Sequence, residues 1–141
     1  MKRLLIPALL LGSIPAVCAA APPSVETANA NWSQLPKLRQ HSNDHMSNTA
    51  ISRIYEISGE GKCSIPGRNG RGLLDFDMSF AAQFEKDGSL NRVILPKMNC
   101  PEAEGVLGGI LVKMIQSGDY RNDGSNEDGW YRGDLSFTVG G

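Results

Sequence analysis

The stretch that decides the fold reads Leu-Leu-Asp-Phe-Asp-Met-Ser-Phe-Ala-Ala-Gln-Phe, residues 73–84. From Leu74 onwards every second residue is apolar, and polar residues take most of the positions between them. This period of two is typical of a β-strand with one face on a core and the other in water. A polar turn, Lys86-Asp87-Gly88-Ser89, follows, and a second apolar-rich run, Leu90–Leu95, ends at Pro96. The sequence therefore predicts a β-hairpin here.

Downstream of the hairpin, a helical stripe and another alternating run complete a small unit. Pro101 suits a first helical turn, and Gly118 suits a helix end. The apolar residues between them recur at helical spacing: Val106, Leu107, Ile110, Leu111, Met114 and Ile115. The run Tyr131–Val139 alternates again. The order strand, turn, strand, helix, strand predicts an α+β domain with a sheet layer and a helix layer. Glycines at 105, 108 and 109 predict that the helix lies close to the sheet.

Upstream of the hairpin, the spacing of apolar residues predicts an additional N-terminal helix near residues 44–57. Asn43 or Asp44 is the expected cap, and Gly59 is an expected stop. The β-branched isoleucines of this segment would also suit a strand, and the sequence leaves that alternative open.

The first twenty residues have the composition of a bacterial signal peptide. Two basic residues precede a short apolar stretch, Leu4–Ile14, and small residues precede a predicted cleavage after Ala20. The apolar stretch is too short and too interrupted for a membrane span. Cys18 leaves a lipid anchor open, although the residues before it depart from a lipobox. We therefore expect a periplasmic or secreted protein without stable membrane insertion after cleavage.

The remaining chain predicts an arm followed by one domain. Residues 21–42 are rich in Pro, Ser, Ala and Asn and show little periodicity, which predicts a flexible N-terminal arm. Residues 43–141 are enough for a single small domain. The full chain holds 14 Lys and Arg against 15 Asp and Glu, and cleavage would remove two basic residues, leaving a net charge of about −3. This charge gives no attraction to nucleic acid.

Cys63 and Cys100 are the two cysteines left after the predicted cleavage. An even pair in an exported protein predicts a disulfide. Closing a loop of this length stabilises the folded state by roughly 4 kcal/mol in the chain-entropy description. A redox or metal-binding pair would need close spacing such as Cys-x-x-Cys, which this sequence lacks. The pair is therefore predicted to be structural.

Residues 73–139 resemble the C-terminal domain of the TonB family. The shared features are a long first strand, an acidic-glycine turn and a second strand ending near Leu95. A helix at Ala103–Ile115 is followed by the aromatic Tyr120, and Gly129-Trp130-Tyr131 opens the last strand. The membrane anchor and proline-rich spacer of an energy-transducing TonB are not found in this sequence. The resemblance therefore implies a free-standing exported relative that does not transduce energy.

The last strand is the candidate site for a partner. An exposed aromatic beside free backbone donors and acceptors is typical of strand addition. We predict that a partner segment pairs along this strand, with Trp130, Arg132 and Asp134 supplying specificity and Ser136 supplying backbone bonds. In the alternative interpretation Tyr131 lies in the core and Trp130 only covers the hairpin. The leading hypothesis is a non-enzymatic envelope protein that binds a protein or peptide.

Other motifs give only weak support to a hydrolase or hydrolase-inhibitor function. His41 and His45 have helical metal-ligand spacing, but the glutamate of His-Glu-x-x-His is missing. The basic loop 63–72 lacks the Lys-Ser/Thr end of a phosphate-binding loop. Asp119–Trp130 fails as a calcium loop because Trp130 stands where a bidentate Glu is needed. We therefore predict no cofactor and no metal. The alternative function is an exported hydrolase, or an inhibitor of one, that uses loop 63–72 or the two histidines.

Overall fold

The computed structural model describes Gly12, residues 21–69 and residues 71–140. Apart from Gly12, the predicted signal peptide lies outside the described residues, and so does Cys18. Within the described part of the chain, no helix combines the length and the apolar character that crossing a bilayer requires.

The described chain forms a small α+β domain with two helices and a mixed sheet, as predicted. Its elements are β1 (Ser24–Thr27), β2 (Arg39–Gln40), α1 (Asn48–Gly59), β3 (Leu73–Phe84), β4 (Leu90–Leu95), α2 (Pro101–Gln116), β5 (Tyr120–Arg121) and β6 (Trp130–Gly140). Four strands form one sheet in the order β1-β4-β3-β6, and β2 pairs with β5 in a second, two-stranded sheet. The predicted order of strand, turn, strand, helix and strand is present as β3, β4, α2 and β6.

The predicted hairpin is the centre of the large sheet. β3 pairs antiparallel with β4, with Ala81 opposite Ile94 and a bulge between Gln83 and Phe84. On its other side β3 pairs antiparallel with β6 along nearly its whole length. Every second residue from Leu74 to Ala82 is apolar and buried on the face toward the helices, Phe84 is half-buried, and Asp75 and Asp77 lie exposed on the outer face. The period of two thus reports which face of the sheet carries the core.

The core lies between this inner face and the two helices. Its fully buried large side chains include Leu74, Phe76, Phe80, Leu95, Leu107, Leu111, Met114, Tyr131, Leu135, Ile54 and Ile57. The segment with the ambiguous isoleucines is helical. Its start differs from the prediction, because Ser47 is the cap and accepts a 3.2 Å hydrogen bond from the Ala50 amide. The predicted caps, Asn43 and Asp44, both lie before the helix, and the Asn43 carbonyl accepts a hydrogen bond from the Met46 amide in a turn there.

The N-terminal segment, residues 21–42, lies along the sheet. β1 adds to the sheet in parallel with β4, from Ser24 opposite Arg92 to Thr27 opposite Leu95. The chain then reaches the opposite edge of the sheet, where Lys37 pairs with a residue of β6, and Leu38 is 2% exposed. Backbone bonds hold most of this segment, so it needs no periodic apolar face that a sequence pattern would reveal.

The two cysteines predicted to pair lie at disulfide distance. Cys63 and Cys100 have an S–S separation of 2.04 Å and a Cα–Cα separation of 5.6 Å. The bond joins the loop after α1 to the start of α2, two parts of the fold with no backbone ladder between them. The disulfide therefore fixes the loop that precedes the hairpin against the helix that follows it.

Candidate partner-binding edge

The last strand, β6, is at the edge of the large sheet, as predicted. Two hydrogen bonds establish which way its backbone groups point. The Phe84 amide of β3 donates to the Gly129 carbonyl at 2.8 Å, and the Arg132 amide points away from β3 to donate to the Pro36 carbonyl at 2.9 Å. Ladder bonds of an antiparallel pair alternate, so Asp134, Ser136 and Thr138 also direct their backbone groups away from β3.

The first half of this edge is covered by the chain itself. The Arg132 carbonyl accepts from the Leu38 amide at 2.7 Å, in addition to the bond between the Arg132 amide and Pro36. The Asp134 carbonyl accepts from the Tyr120 hydroxyl at 2.5 Å. A partner strand therefore finds the outward groups of Arg132 and the Asp134 carbonyl already satisfied.

The side chains predicted to confer specificity also contact other parts of this chain. The Arg132 guanidinium donates to the Leu35 carbonyl at 3.1 Å, and the Asp134 carboxylate lies 3.3 Å from the Lys37 ammonium. Trp130 is half-buried, with the Arg92 guanidinium 5.6 Å from its ring centre. Arg132 and Asp134 bind the N-terminal segment, and Trp130 covers the sheet. The sequence missed this because the contacting residues lie almost a hundred positions away.

The second half of the edge, Ser136–Gly140, is open. Within the described residues, no backbone or side chain hydrogen-bonds the outward amides or carbonyls of Ser136 and Thr138. Both side chains are exposed on the outer face, and the Thr138 hydroxyl donates to Asp75 at 2.6 Å. On the helix side Phe137 and Val139 are half-buried, and Phe137 stacks on Phe76 with ring centres 5.0 Å apart. This half-strand combines unpaired backbone with partly covered apolar side chains.

Charged groups around the first half of β6 stabilise its contacts with the N-terminal segment and with Tyr120. A hydrogen bond from Ser79, helped by Lys37 and opposed by burial, lowers the pKa of the Asp134 carboxyl. Burial, together with the nearby carboxylates of Asp134 and Asp119, raises the pKa of the Tyr120 hydroxyl far above its usual value. Tyr120 therefore stays protonated and keeps donating to β6 across the physiological pH range.

A buried carboxylate, Asp119, anchors the end of the N-terminal segment. Asp119 is 1% exposed and follows the end of α2. Its carboxylate accepts from the Ser42 hydroxyl at 2.6 Å and from the His45 amide at 2.9 Å, and the His45 Nδ1 lies 2.8 Å away. The Asp119 carbonyl accepts from the His41 amide at 2.7 Å. Sequence reasoning gave Asp119 no role in a buried cluster, because a polar residue after a helix end carries no signal of burial.

This Ser-His-Asp cluster lacks the geometry of a nucleophile. The Ser42 hydroxyl and the His45 Nδ1 both contact the same carboxylate oxygen, so the hydroxyl is bound to the acid and not to the ring base. A serine nucleophile needs its hydroxyl on the free nitrogen of the histidine. Among the described residues, no group of three or more His, Cys, Asp and Glu side chains is arranged to hold a metal ion. The arrangement instead fixes residues 41–45 to the end of α2.

The basic loop, residues 63–72, contacts α1 through Arg68 and β3 through Gly67. The Arg68 guanidinium lies 4.8 Å from the Tyr55 ring centre and donates to the Ser58 hydroxyl at 2.7 Å. The Gly67 carbonyl accepts from the Asp75 amide at 2.9 Å. Gly67 has a φ of +105°, and a Cβ there would lie 1.9 Å from the Asp75 carbonyl oxygen, so the close pairing requires glycine. Arg68 is therefore engaged with α1.

Comparison with known proteins adds no family to this description: no family model, curated protein or solved structure matches the chain. The resemblance to TonB C-terminal domains stays a prediction from the residue pattern.

Proposed function

We propose that the protein is an exported, non-enzymatic protein of the cell envelope that binds an extended segment of a partner protein along Ser136–Gly140. The observation that carries the proposal is the unpaired row of outward amides and carbonyls at Ser136 and Thr138. A sheet edge with free backbone groups is a template for another strand.

The coverage of the other strand edges supports a binding role for Ser136–Gly140. The other edge of the sheet is β1, an edge strand of only four residues that covers β4, and residues 36–38 together with Tyr120 cover the first half of β6. Proteins usually cover or blunt their strand edges because open edges pair with other chains. An edge left open beside a covered one is consistent with use for binding.

The side chains of the open half indicate the chemistry of the partner. A strand added beside Ser136–Gly140 would place alternate residues against half-buried Phe137 and Val139, and the others beside exposed Ser136 and Thr138. The expected partner segment is extended, with apolar and polar residues in alternation. The signal-peptide pattern, the paired cysteines and the resemblance to TonB domains support an envelope location.

The hydrolase and inhibitor alternatives receive less support from the geometry. The Ser42 hydroxyl is bound to Asp119, and the exposed Arg68 guanidinium donates a hydrogen bond to Ser58 of α1. The open β6 half offers binding groups that no described residue uses.

A proline at Ser136 tests the proposal. Because the Ser136 amide points away from β3, Ser136→Pro removes no sheet hydrogen bond and blocks an added strand. We expect a variant with unchanged circular dichroism that no longer retains partner proteins from envelope extract. Ser136→Thr, which keeps the amide and suits a strand, is the matched control and should retain what the wild type retains. A folded Ser136→Pro protein with unchanged retention would rule out this edge.

A further inference from the structure

The opposite edge of the sheet carries a shaped groove that is filled by β1. The groove consists of the free side of β4 and the adjoining surface of α2 around Gly108. Four residues of β1 pair in parallel with Arg92–Leu95, and the Ala28 amide extends the ladder to the Leu95 carbonyl at 2.9 Å. We call this site the β1 groove.

Gly108 gives the β1 groove its selectivity. A Cβ built on Gly108 would lie 2.3 Å from Val25 Cγ1 and 2.9 Å from Val25 Cγ2, so the absent side chain is the space that Val25 occupies. Beside this contact, Glu26 lies 3.6 Å from the Arg92 guanidinium. The groove thus accepts a β-branched residue over α2 followed by an acidic residue beside Arg92.

β1 is held in this groove by few side-chain contacts. All four of its residues are exposed, and Val25 remains 40% exposed in its place over Gly108. Most of what holds β1 is the backbone ladder, which any copy of the same segment reproduces. Six residues, Asn29–Gln34, connect the β1 ladder to the part of the chain anchored on β6, and they span up to about 21 Å when extended.

We propose that the β1 groove binds β1 from a second copy of this chain, so that two chains associate by exchanging their N-terminal strands. Ser24–Thr27 is complementary to this groove. It pairs in register with Arg92–Leu95, its Val25 fills the space over Gly108, and its Glu26 lies beside Arg92. Exchange makes the same contacts between chains as within one chain, and the linker lets β1 leave its own groove.

Two complementary variants test the exchange. Val25→Asp disables the strand but leaves the groove intact. Gly108→Ala closes the groove but leaves the strand intact, and alanine also suits the interior of α2 better than glycine does. Gly109→Ala is the matched control, because a Cβ there meets nothing within 4 Å.

Native mass spectrometry and sedimentation of mixtures supply the readout. Each variant alone should be monomeric, and mixing Val25→Asp with Gly108→Ala should give a 1:1 complex. Replacing Gly108→Ala by Gly109→Ala should weaken that complex at least tenfold, because the intact groove of Gly109→Ala competes for the same β1 from within its own chain. Hydrogen exchange of residues 24–28 should be at least tenfold faster in Gly108→Ala alone and should slow on mixing.

Three results would overturn the proposal. One is the absence of a complex between the two variants at millimolar concentration. A second is unchanged hydrogen exchange of β1 in Gly108→Ala, which would show that Gly108 does not govern docking. The third is a complex between Val25→Asp and the double variant Val25→Asp/Gly108→Ala, which would place the association on another surface.

Discussion

At the scale of single residues, Asp119 is the buried carboxylate that joins Ser42 and His45 to the end of α2. Burial by itself would raise the pKa of the Asp119 carboxyl, but hydrogen bonds from Ser42 and His45 outweigh it and lower the pKa. The ionised carboxylate accepts the Ser42 hydroxyl and the His45 amide together, and protonation would weaken both bonds.

The lowered pKa of Asp119 predicts acid sensitivity with a definite sign. A carboxyl whose pKa is lower in the folded state stabilises the protein fully above its unfolded pKa, near pH 4. This stabilisation is lost as the pH falls further, through the folded pKa. We expect Asp119→Asn to lower the melting temperature at pH 7 by several degrees. Between pH 5 and pH 3, the melting temperature of this variant should fall less than that of the wild type. Thermal scans across this range measure both effects, and parallel pH curves would contradict the assignment.

At the scale of secondary-structure elements, the bond between Cys63 and Cys100 links the loop after α1 to the start of α2. The two residues are 37 positions apart, so the bond closes a long loop of the unfolded chain. We expect Cys63→Ala/Cys100→Ala to lower the free energy of unfolding by roughly 4 kcal/mol, measured in urea. The oxidised mature protein should show no free thiol by mass spectrometry after alkylation, whereas two alkylated cysteines would contradict the pairing. Reduced wild type is the control and should match the double variant.

At the scale of the whole molecule, the N-terminal segment connects both edges of the sheet. β1 lies on β4, and the same segment ends on β6, where Leu38 is buried. One short stretch of chain therefore decides how much of each edge is available to other molecules. This segment fills the β1 groove and covers the first half of β6, and it leaves Ser136–Gly140 uncovered.

Truncating Leu38 tests this organisation. Leu38 is 2% exposed and its amide donates to the Arg132 carbonyl, so Leu38→Ala leaves a cavity where the segment meets β6. We expect a loss of about 2–4 kcal/mol of unfolding free energy and faster hydrogen exchange at the Arg132 amide. Leu73→Ala, at an exposed leucine, is the matched control and should change stability by much less. Equal losses in the two variants would mean that Leu38 does not anchor the segment.

The sequence by itself determined the elements whose burial has a local period. The alternation in β3 and β6 and the helical stripe in α2 each follow from one face of an element lying on the core. The cysteine count predicted the disulfide pair, because the two cysteines left after the predicted cleavage allow one pairing. The predicted topology also made the last strand a candidate sheet edge, and β6 is an edge strand in the structure.

The tertiary structure alone decided which parts of those edges are open. β1 has four exposed residues and no apolar period, so its pairing with β4 is visible only once the fold brings Ser24 beside Arg92. The burial of Asp119 likewise needs residues 41–45 packed against the end of α2. Local patterns report which side of an element is apolar, whereas edge coverage depends on backbone hydrogen bonds between distant segments. The same physical difference explains why β6 was predictable as an edge and its open half, Ser136–Gly140, was not.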